Sequence, residues 1–284
     1  MEHSKHPYSI NVRGELIDFS EPKIMGILNI TPDSFYADSR KNTEAEIRSR
    51  VEQILQEGAD IVDVGGYSSR PNAKEVPEQE ELNRLLSALK IISKDFPGTV
   101  VSVDTFRSKV AKICVEEYGV AIVNDISGGM IDDKMFETVA ALKVPYVLSH
   151  IKGNPATMVN ECRYNDLIGE IILYFSEKIA LLHRLGVNDI ILDPGFGFAK
   201  NLDQNYLLMK NMEALQLFDL PVLVGVSRKR MIYELLGCTP GESLNGTTVL
   251  HAYALLHGAS MLRVHDVKEA VETVKIVKKL NLEL

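Results

Sequence analysis

The chain has 284 residues, 45% apolar and 25% charged, an ordinary globular mix that fits neither disorder nor a collagen-like repeat. Acidic residues outnumber basic ones 39 to 31, a net charge of −8 with a pI near 5.5, which sets the surface against phosphate backbones and anionic lipid. Three widely spaced cysteines, Cys114, Cys162 and Cys238, form no C-x-x-C pair and argue against a disulfide framework or a zinc site. The opening MEHSKHPYSI lacks the apolar run of a signal peptide, and no apolar stretch reaches the ~18 residues needed to cross a bilayer. The expectation is a cytoplasmic protein with neither nucleic acid nor membrane as partner.

Within residues 1–20, YSINVRGELIDFS alternates about Arg13-Gly14 and predicts a hairpin, placed to plug the bottom of the fold that follows. A repeating unit then begins, in which a short β-branched apolar run ends in small or polar residues and an amphipathic helix follows. The first run is Ile24 to Ile30, and its helix has Thr43 as expected N-cap, Glu46 as capping-box partner and Gly58 as stop. Asp60 to Gly66 comes next, with a helix opening at Pro77 and an acidic first turn. Thr99 to Thr105, Ala121 to Ser127, Pro145 to His150, Asp189 to Gly195, Pro221 to Ser227 and Ser260 to Asp266 continue the series. Continuous apolar runs of this kind suit strands buried on both faces. About eight strands and eight helical connections in alternation predict one (β/α)8 TIM barrel, a single domain over residues 1–284 with a short N-terminal β-hairpin. A doubly wound sheet is the alternative, but no G-x-G-x-x-G follows the first strand.

Catalytic groups of such a barrel sit at the C-terminal ends of its strands. Those positions hold Asn29, Asp33, Ser69, Arg70, Asp104, Asn124, Asp125, His150, Asp193, Ser227, Lys229, Arg263 and His265. Any one of them reads equally well as architecture: Asp104 as a helix cap, Asp193-Pro194-Gly195 as a turn. Together, Asp104, Asn124 and Asp193 offer carboxylate and amide groups to a dry pocket and suit a flat heterocycle with an amino-pyrimidinone edge. Arg263 and His265, two apart in a strand, share one face and with Arg70 form an anion site suited to phosphate or pyrophosphate, whereas Arg230 reads as a solvated rim. Asn29 suits a hard cation that stays largely hydrated beside phosphates. The polar loops NITPDSFYADSRKN and GGYSSRPNAKEVP have the composition of lids.

Eight pieces in order carry a resemblance: NITPDSF, GGYSSRP, SVDT, VNDISGG, HIKGNPATM, ILDPGFGFAK, GVSRKR and RVHD. In these the chain resembles the dihydropteroate synthases, transferases of folate biosynthesis and sulfonamide targets. That resemblance implies condensation of a dihydropterin pyrophosphate with 4-aminobenzoate, Mg2+ dependence and a homodimer. It maps pterin binding onto Asp104, Asn124, Asp193, Lys229, Arg263 and Phe198, and pyrophosphate binding onto Asn29, Ser69, Arg263 and His265. Aminobenzoate binding maps onto Ser69, Arg70, Pro71, Phe198, Ser227 and Lys229, with Asp33 and Phe35 on the lid and Asn29 as metal ligand. Asp104, Asp193, Lys229 and Arg263 form the expected catalytic set, the carboxylates stabilising a pterin cation in an SN1-type transition state. The chain departs from the family at Ser69, Asn72 and Ser149, with no charged ligand lost. A corrinoid-dependent pterin methyltransferase, a non-catalytic pterin-binding paralogue and a phosphosugar isomerase or aldolase are the competing readings. The first two sit poorly with the intact anion and lid motifs, and the third lacks a Glu base or an inward Schiff-base lysine.

Overall fold

In a computed structural model, residues 8–30, 40–67, 76–153 and 162–281 are described. β1 (Ser9–Val12) and β2 (Glu15–Asp18) pair antiparallel around Arg13-Gly14. Both turn residues have positive φ, 55° and 89°, the two-residue turn whose twist matches that of its strands. The barrel unit follows as β3 (Lys23–Asn29), α1 (Arg40–Gln56), β4 (Ile61–Gly65), α2 (Glu78–Asp95), β5 (Val100–Asp104) and α3 (Ser108–Tyr118). It continues as β6 (Ile122–Asp125), α4 (Met135–Leu142), β7 (Tyr146–Ser149), α5 (Leu167–Arg184), β8 (Ile190–Asp193) and α6 (Leu202–Lys210). β9 (Leu223–Val224), α7 (Arg230–Leu236), α8 (Leu244–Leu256), β10 (Met261–Val264) and α9 (Val267–Asn281) complete it.

Eight parallel strands run round the sheet in the order β8-β7-β6-β5-β4-β3-β10-β9, and a bridge between Leu192 and Val222 brings its two ends together. Every apolar run read from the sequence contributes a strand. The seventh is much shorter than its run: Pro221 has no N–H for a neighbour, and the chain leaves the sheet at Gly225. The first helix also differs, beginning at Arg40, so Thr43 lies inside it and is not its N-cap. Arg40 and Lys41 are good helix formers and extend the helix back by about one turn. Gly58, at φ 97°, ends the segment as its position predicts.

Side chains alternate between two environments along each strand, as the period of two requires. Leu28, Val64, Val103, Leu148, Leu192, Val224 and Leu262 pack outward against the helices in the larger core. Met25, Ile61, Ile122, Val147, Ile191, Leu223 and Met261 turn inward and pack with Ile10, Val12 and Phe19 of the hairpin segment. These inward residues seal the N-terminal end of the lumen with apolar groups, each contributing about 1.5–3 kcal/mol when fully buried. Two residues further on, the same inward parity gives Asp63, Ser102, Asn124, Ser149, Asp193 and Arg263. The lumen therefore changes from apolar at its N-terminal end to polar at its C-terminal end, where the chemistry is set.

Candidate active site

Arg263, on β10, is the centre of the lumen. Its Nε donates to Asp63 Oδ2 on β4 at 2.6 Å, and its Nη2 donates to Asp104 Oδ2 at the end of β5 at 2.6 Å. Asn124 Nδ2, at the end of β6, donates to the same Asp63 oxygen at 3.1 Å. Burial raises the Asp104 carboxyl to about 7, against the pull of Arg263 and with Asp63 nearby adding to the rise. Burial works against the Arg263 charge too, yet Asp63 and Asp104 hold its guanidinium above its ordinary range. Asp104 is not a helix cap, because the amide of Ser108 at the start of α3 donates to Asp132 instead. Asp63 was not among the expected residues, since it lies in mid-strand and not at a strand end. An acid inside the run IVDVG, on inward parity, was the available signal.

Three buried polar atoms of this wall have no hydrogen-bond partner among the described residues: Asp63 Oδ1, Ser102 Oγ and Ser149 Oγ. A buried unsatisfied group costs about 1–3 kcal/mol, so a cluster of them marks a surface that stability alone does not select. Acceptors and hydroxyls on one wall suit the N–H-rich edge of an amino-pyrimidinone. Gly65, at the end of β4, keeps the mouth open there. A Cβ on it would come within 3.2 Å of Asn29 Oδ1 and 3.7 Å of Asp104 Oδ2.

Opposite lies the loop that follows β8. The Gly195 amide donates to Asp193 Oδ1 at 2.8 Å, so Asp193 does make the local turn that its Asp-Pro-Gly sequence allows. Lys229 reaches across from the β9 side, donating to the carbonyl of Phe196 and standing 4.5 Å from the centroid of the Phe198 ring. Burial lowers the Lys229 ammonium to about 8, opposed by Asp193 and assisted by Arg263. Gly197, at φ 79°, permits this approach, because a Cβ would meet Lys229 Cδ at 3.2 Å.

Ser227 and His265 meet at the third side. The His265 amide donates to Ser227 Oγ at 3.1 Å, and His265 Nδ1 lies 3.1 Å from the same oxygen. Burial, with Arg263 adding to it, lowers the His265 imidazole to about 4, so the free site holds it neutral near pH 7. Arg50 of α1 donates to the His265 carbonyl at 2.6 Å. Between Ser227 and Lys229, Arg228 stands in the left-handed region at φ 54°. Its guanidinium grips Asp266 at 2.8 and 2.7 Å and donates to the carbonyls of Pro240 and Gly241. That clamp joins the GVSRKR and RVHD segments, a role the sequence did not separate from that of its basic neighbours. Arg230 is exposed and pairs with Glu234, as a rim residue should. Arg228→Ala is expected to lower stability by about 1–2 kcal/mol, the modest end for a part-exposed charge-assisted pair. Thermal melts check this; an unchanged midpoint would show that the turn holds without its clamp.

Of the remaining expected residues, Asn29 closes β3 beside Gly65 and Asp104. Asp33, Phe35, Ser69, Arg70 and Pro71 lie outside the described residues, so the partnership of Arg70 with Arg263 and His265 is an expectation only. Asp125 serves the loop: it accepts from Tyr146 Oη at 2.7 Å and from the Ser127 and Gly129 amides. His150 faces Lys200 and not the lumen centre. No group of three or more His, Cys, Asp or Glu side chains among the described residues makes a metal cage. Asn29 offers one neutral oxygen, which fits Mg2+ only as an ion that keeps most of its water and shares a phosphate ligand.

Fold and site define a barrel enzyme with a polar lumen of a chemistry that suits a flat heterocycle beside an anion. The family model described as pterin binding enzyme matches residues 25–265. The dihydropteroate synthase of Escherichia coli K12 is 40% identical over 268 residues, covering 94% of each chain. The structure matches that of Yersinia pestis dihydropteroate synthase in a sulfonamide drug complex with a TM-score of 0.89, at 37% identity, covering 96% of this chain and 99% of that one. The Xanthomonas albilineans dihydropteroate synthase in complex with 7,8-dihydropteroate matches with a TM-score of 0.86, at 30% identity, covering 98% of this chain and 100% of that one. The chain belongs to the pterin-binding enzymes, among the dihydropteroate synthases.

Proposed function

We infer that the chain is a transferase that condenses (7,8-dihydropterin-6-yl)methyl diphosphate with 4-aminobenzoate, giving 7,8-dihydropteroate and diphosphate. The observation that carries this reading is the Asp63–Arg263–Asp104 bridge across the polar lumen, with Asn124 on the Asp63 carboxylate. It supports the reading because carboxylate acceptors of the kind a pterin edge needs stand beside a guanidinium that can face an anion. The relatives agree, since one solved member holds 7,8-dihydropteroate and another a sulfonamide.

In this reading Asp104, Asn124 and Asp193 hold the pterin edge, with Lys229 and the Phe198 ring on the opposite wall. Arg263 and His265 receive the diphosphate, together with Asn29 and Ser69. The aminobenzoate lies against Phe198, Ser227 and Lys229, towards Ser69, Arg70 and Pro71, with Asp33 and Phe35 on the covering loop. The CH2–O bond breaks with its electron pair on the diphosphate oxygen, and positive charge spreads into the pterin. The carboxylates of Asp104 and Asp193 stabilise that charge, and Arg263 stabilises the leaving anion. The arylamine nitrogen then bonds to the methylene carbon and gives its proton to solvent. Orientation supplies what this weak nucleophile lacks, and no nucleophilic side chain is required.

Mg2+ held at Asn29 would add charge stabilisation to the diphosphate. A homodimer is also proposed, because α7, α8 and α9 expose large apolar side chains in succession: Leu235 and Leu236, Val249 and Leu256, Ile276 and Leu280. Light scattering is expected to give twice the chain mass of 31.6 kDa, and the monomer mass would contradict this. No helix among the described residues is long and apolar enough to cross a membrane, which is compatible with the cytoplasmic location proposed here. The condensation is tested by following product and diphosphate together. With 4-aminobenzoate present, equal amounts of dihydropteroate and diphosphate are expected; diphosphate release with no dihydropteroate formed under those conditions would refute the assignment.

A further inference from the structure

Lys200 is 6% exposed, an unusual place for an ammonium group, and the mechanism above gives it no role. Its Nζ lies 2.9 Å from His150 Nδ1, 3.0 Å from the Gly195 carbonyl and 3.1 Å from the Phe198 carbonyl. An ammonium has three N–H donors and no acceptor, so three acceptors match it group for group. The match requires His150 Nδ1 to be unprotonated, and burial does hold that imidazole neutral, well below its ordinary range. The ring is fixed edge-on to Tyr174, with centroids 4.9 Å apart.

The two carbonyls belong to the loop that forms one wall of the site. The Gly195 amide orients Asp193, and the Phe198 ring lies under the Lys229 ammonium. The loop has no slack: a Cβ on Gly195 would stand 1.9 Å from the His150 carbonyl oxygen. Asn205 closes the knot from α6, accepting from the Gly197 amide at 2.7 Å and donating to the Lys200 carbonyl at 3.1 Å. Ala199 sits in the left-handed region at φ 48°, so the chain bends sharply to bring the lysine back beneath its own loop. Burial lowers the Lys200 ammonium to about 7, Asp193 works against that and Lys229 with it. Keeping a charge in such surroundings is costly, and apolar side chains would fill the space at lower cost.

We propose that Lys200 is a positioning residue for arylamine binding: caged by His150, Gly195 and Phe198, it fixes the loop after β8 so that Phe198 and Lys229 stand ready for 4-aminobenzoate. The proposal rests on the site assignment above. It is read from affinities, which separate it from the assigned reaction. A wild type that binds both ligands but forms no dihydropteroate would contradict the reaction and leave this role standing.

The test titrates 4-aminobenzoate into diphosphate-saturated enzyme, as wild type, Lys200→Met and Lys200→Ala. Lys200→Met keeps most of the volume and removes the charge. It is expected to weaken 4-aminobenzoate about 10-fold or more while diphosphate affinity changes by less than about 3-fold. In Lys200→Ala, added ethylammonium is expected to recover arylamine affinity and ethanol at the same concentration is not. Unchanged arylamine affinity, equal loss of both ligands, or equal rescue by ethanol would overturn the proposal. Loss of the folded state in both variants, seen in thermal melts, would overturn it as well by making Lys200 an anchor of the fold.

Discussion

Replacing Arg263 by alanine is expected to destabilise the protein by about 3–5 kcal/mol, as well as to remove its diphosphate affinity. The guanidinium stands between two carboxylates that lie deep in the lumen, with Asp63 wholly buried. Its removal leaves both carboxylates without their cation in a low-dielectric space, so they must protonate or drag in water. Pterin affinity is lost with the same substitution, because Asp104 loses the bond that holds its oxygen in place. A division of labour in which Arg263 serves only the anion is therefore not expected. Denaturant melts and separate titrations with diphosphate and a dihydropterin measure the effects, and a variant as stable as wild type would show that the bridge is dispensable. Asp63→Asn should share part of the penalty, since it removes one charge and keeps the packing.

Asp104→Asn carries the second large effect, a fall of roughly 10²–10³ in the rate of the chemical step. An amide fills the same space and can still meet Arg263 or the pterin, but it has no negative charge to place near a developing cation. The pH dependence follows from the raised carboxyl. A group that titrates at about 7 is charged above that pH and neutral below it, so wild-type kcat/KM should fall as pH drops through about 7. Asp104→Asn should lose that acid limb while keeping features that arise from other groups. Rate profiles of the two proteins between pH 5 and pH 9, a range of about two units either side of that midpoint, decide the matter. An acid limb that persists in the variant would assign it elsewhere.

Much of this arrangement was legible in the sequence, and the exceptions have physical causes. Strand runs were visible because strands buried on both faces need unbroken apolar stretches, and their polar ends named Asn29, Asp104, Asn124, Asp193, Arg263 and His265. Inward parity follows from the same period, which is why Arg263 and His265 share a face. The start of α1 was less legible, since Thr43 is a good cap that helix-forming residues before it overrule. Asp63 escaped because burial in mid-strand looks like an error of composition until its partner, 200 residues away in the chain, is placed beside it. Arg228 and Lys200 escaped for related reasons: Arg228 is one of several basic residues in SRKR and acts on Asp266, 38 residues on, while Lys200 meets its own loop only through the bend at Ala199 and meets His150 from 50 residues away. Neither kind of contact has a local spacing to read.

In the proposed reaction the lumen carboxylates and Arg263 together let diphosphate depart before the arylamine attacks. Positional isotope exchange tests it directly. Substrate carrying 18O in the CH2–O–P bridge is incubated with the enzyme without 4-aminobenzoate, recovered and examined by 31P NMR. Movement of the label from the bridge into non-bridging positions is expected, because diphosphate that has left can rotate and recombine. A label that stays in the bridge, under conditions where added 4-aminobenzoate is converted to dihydropteroate, would contradict it.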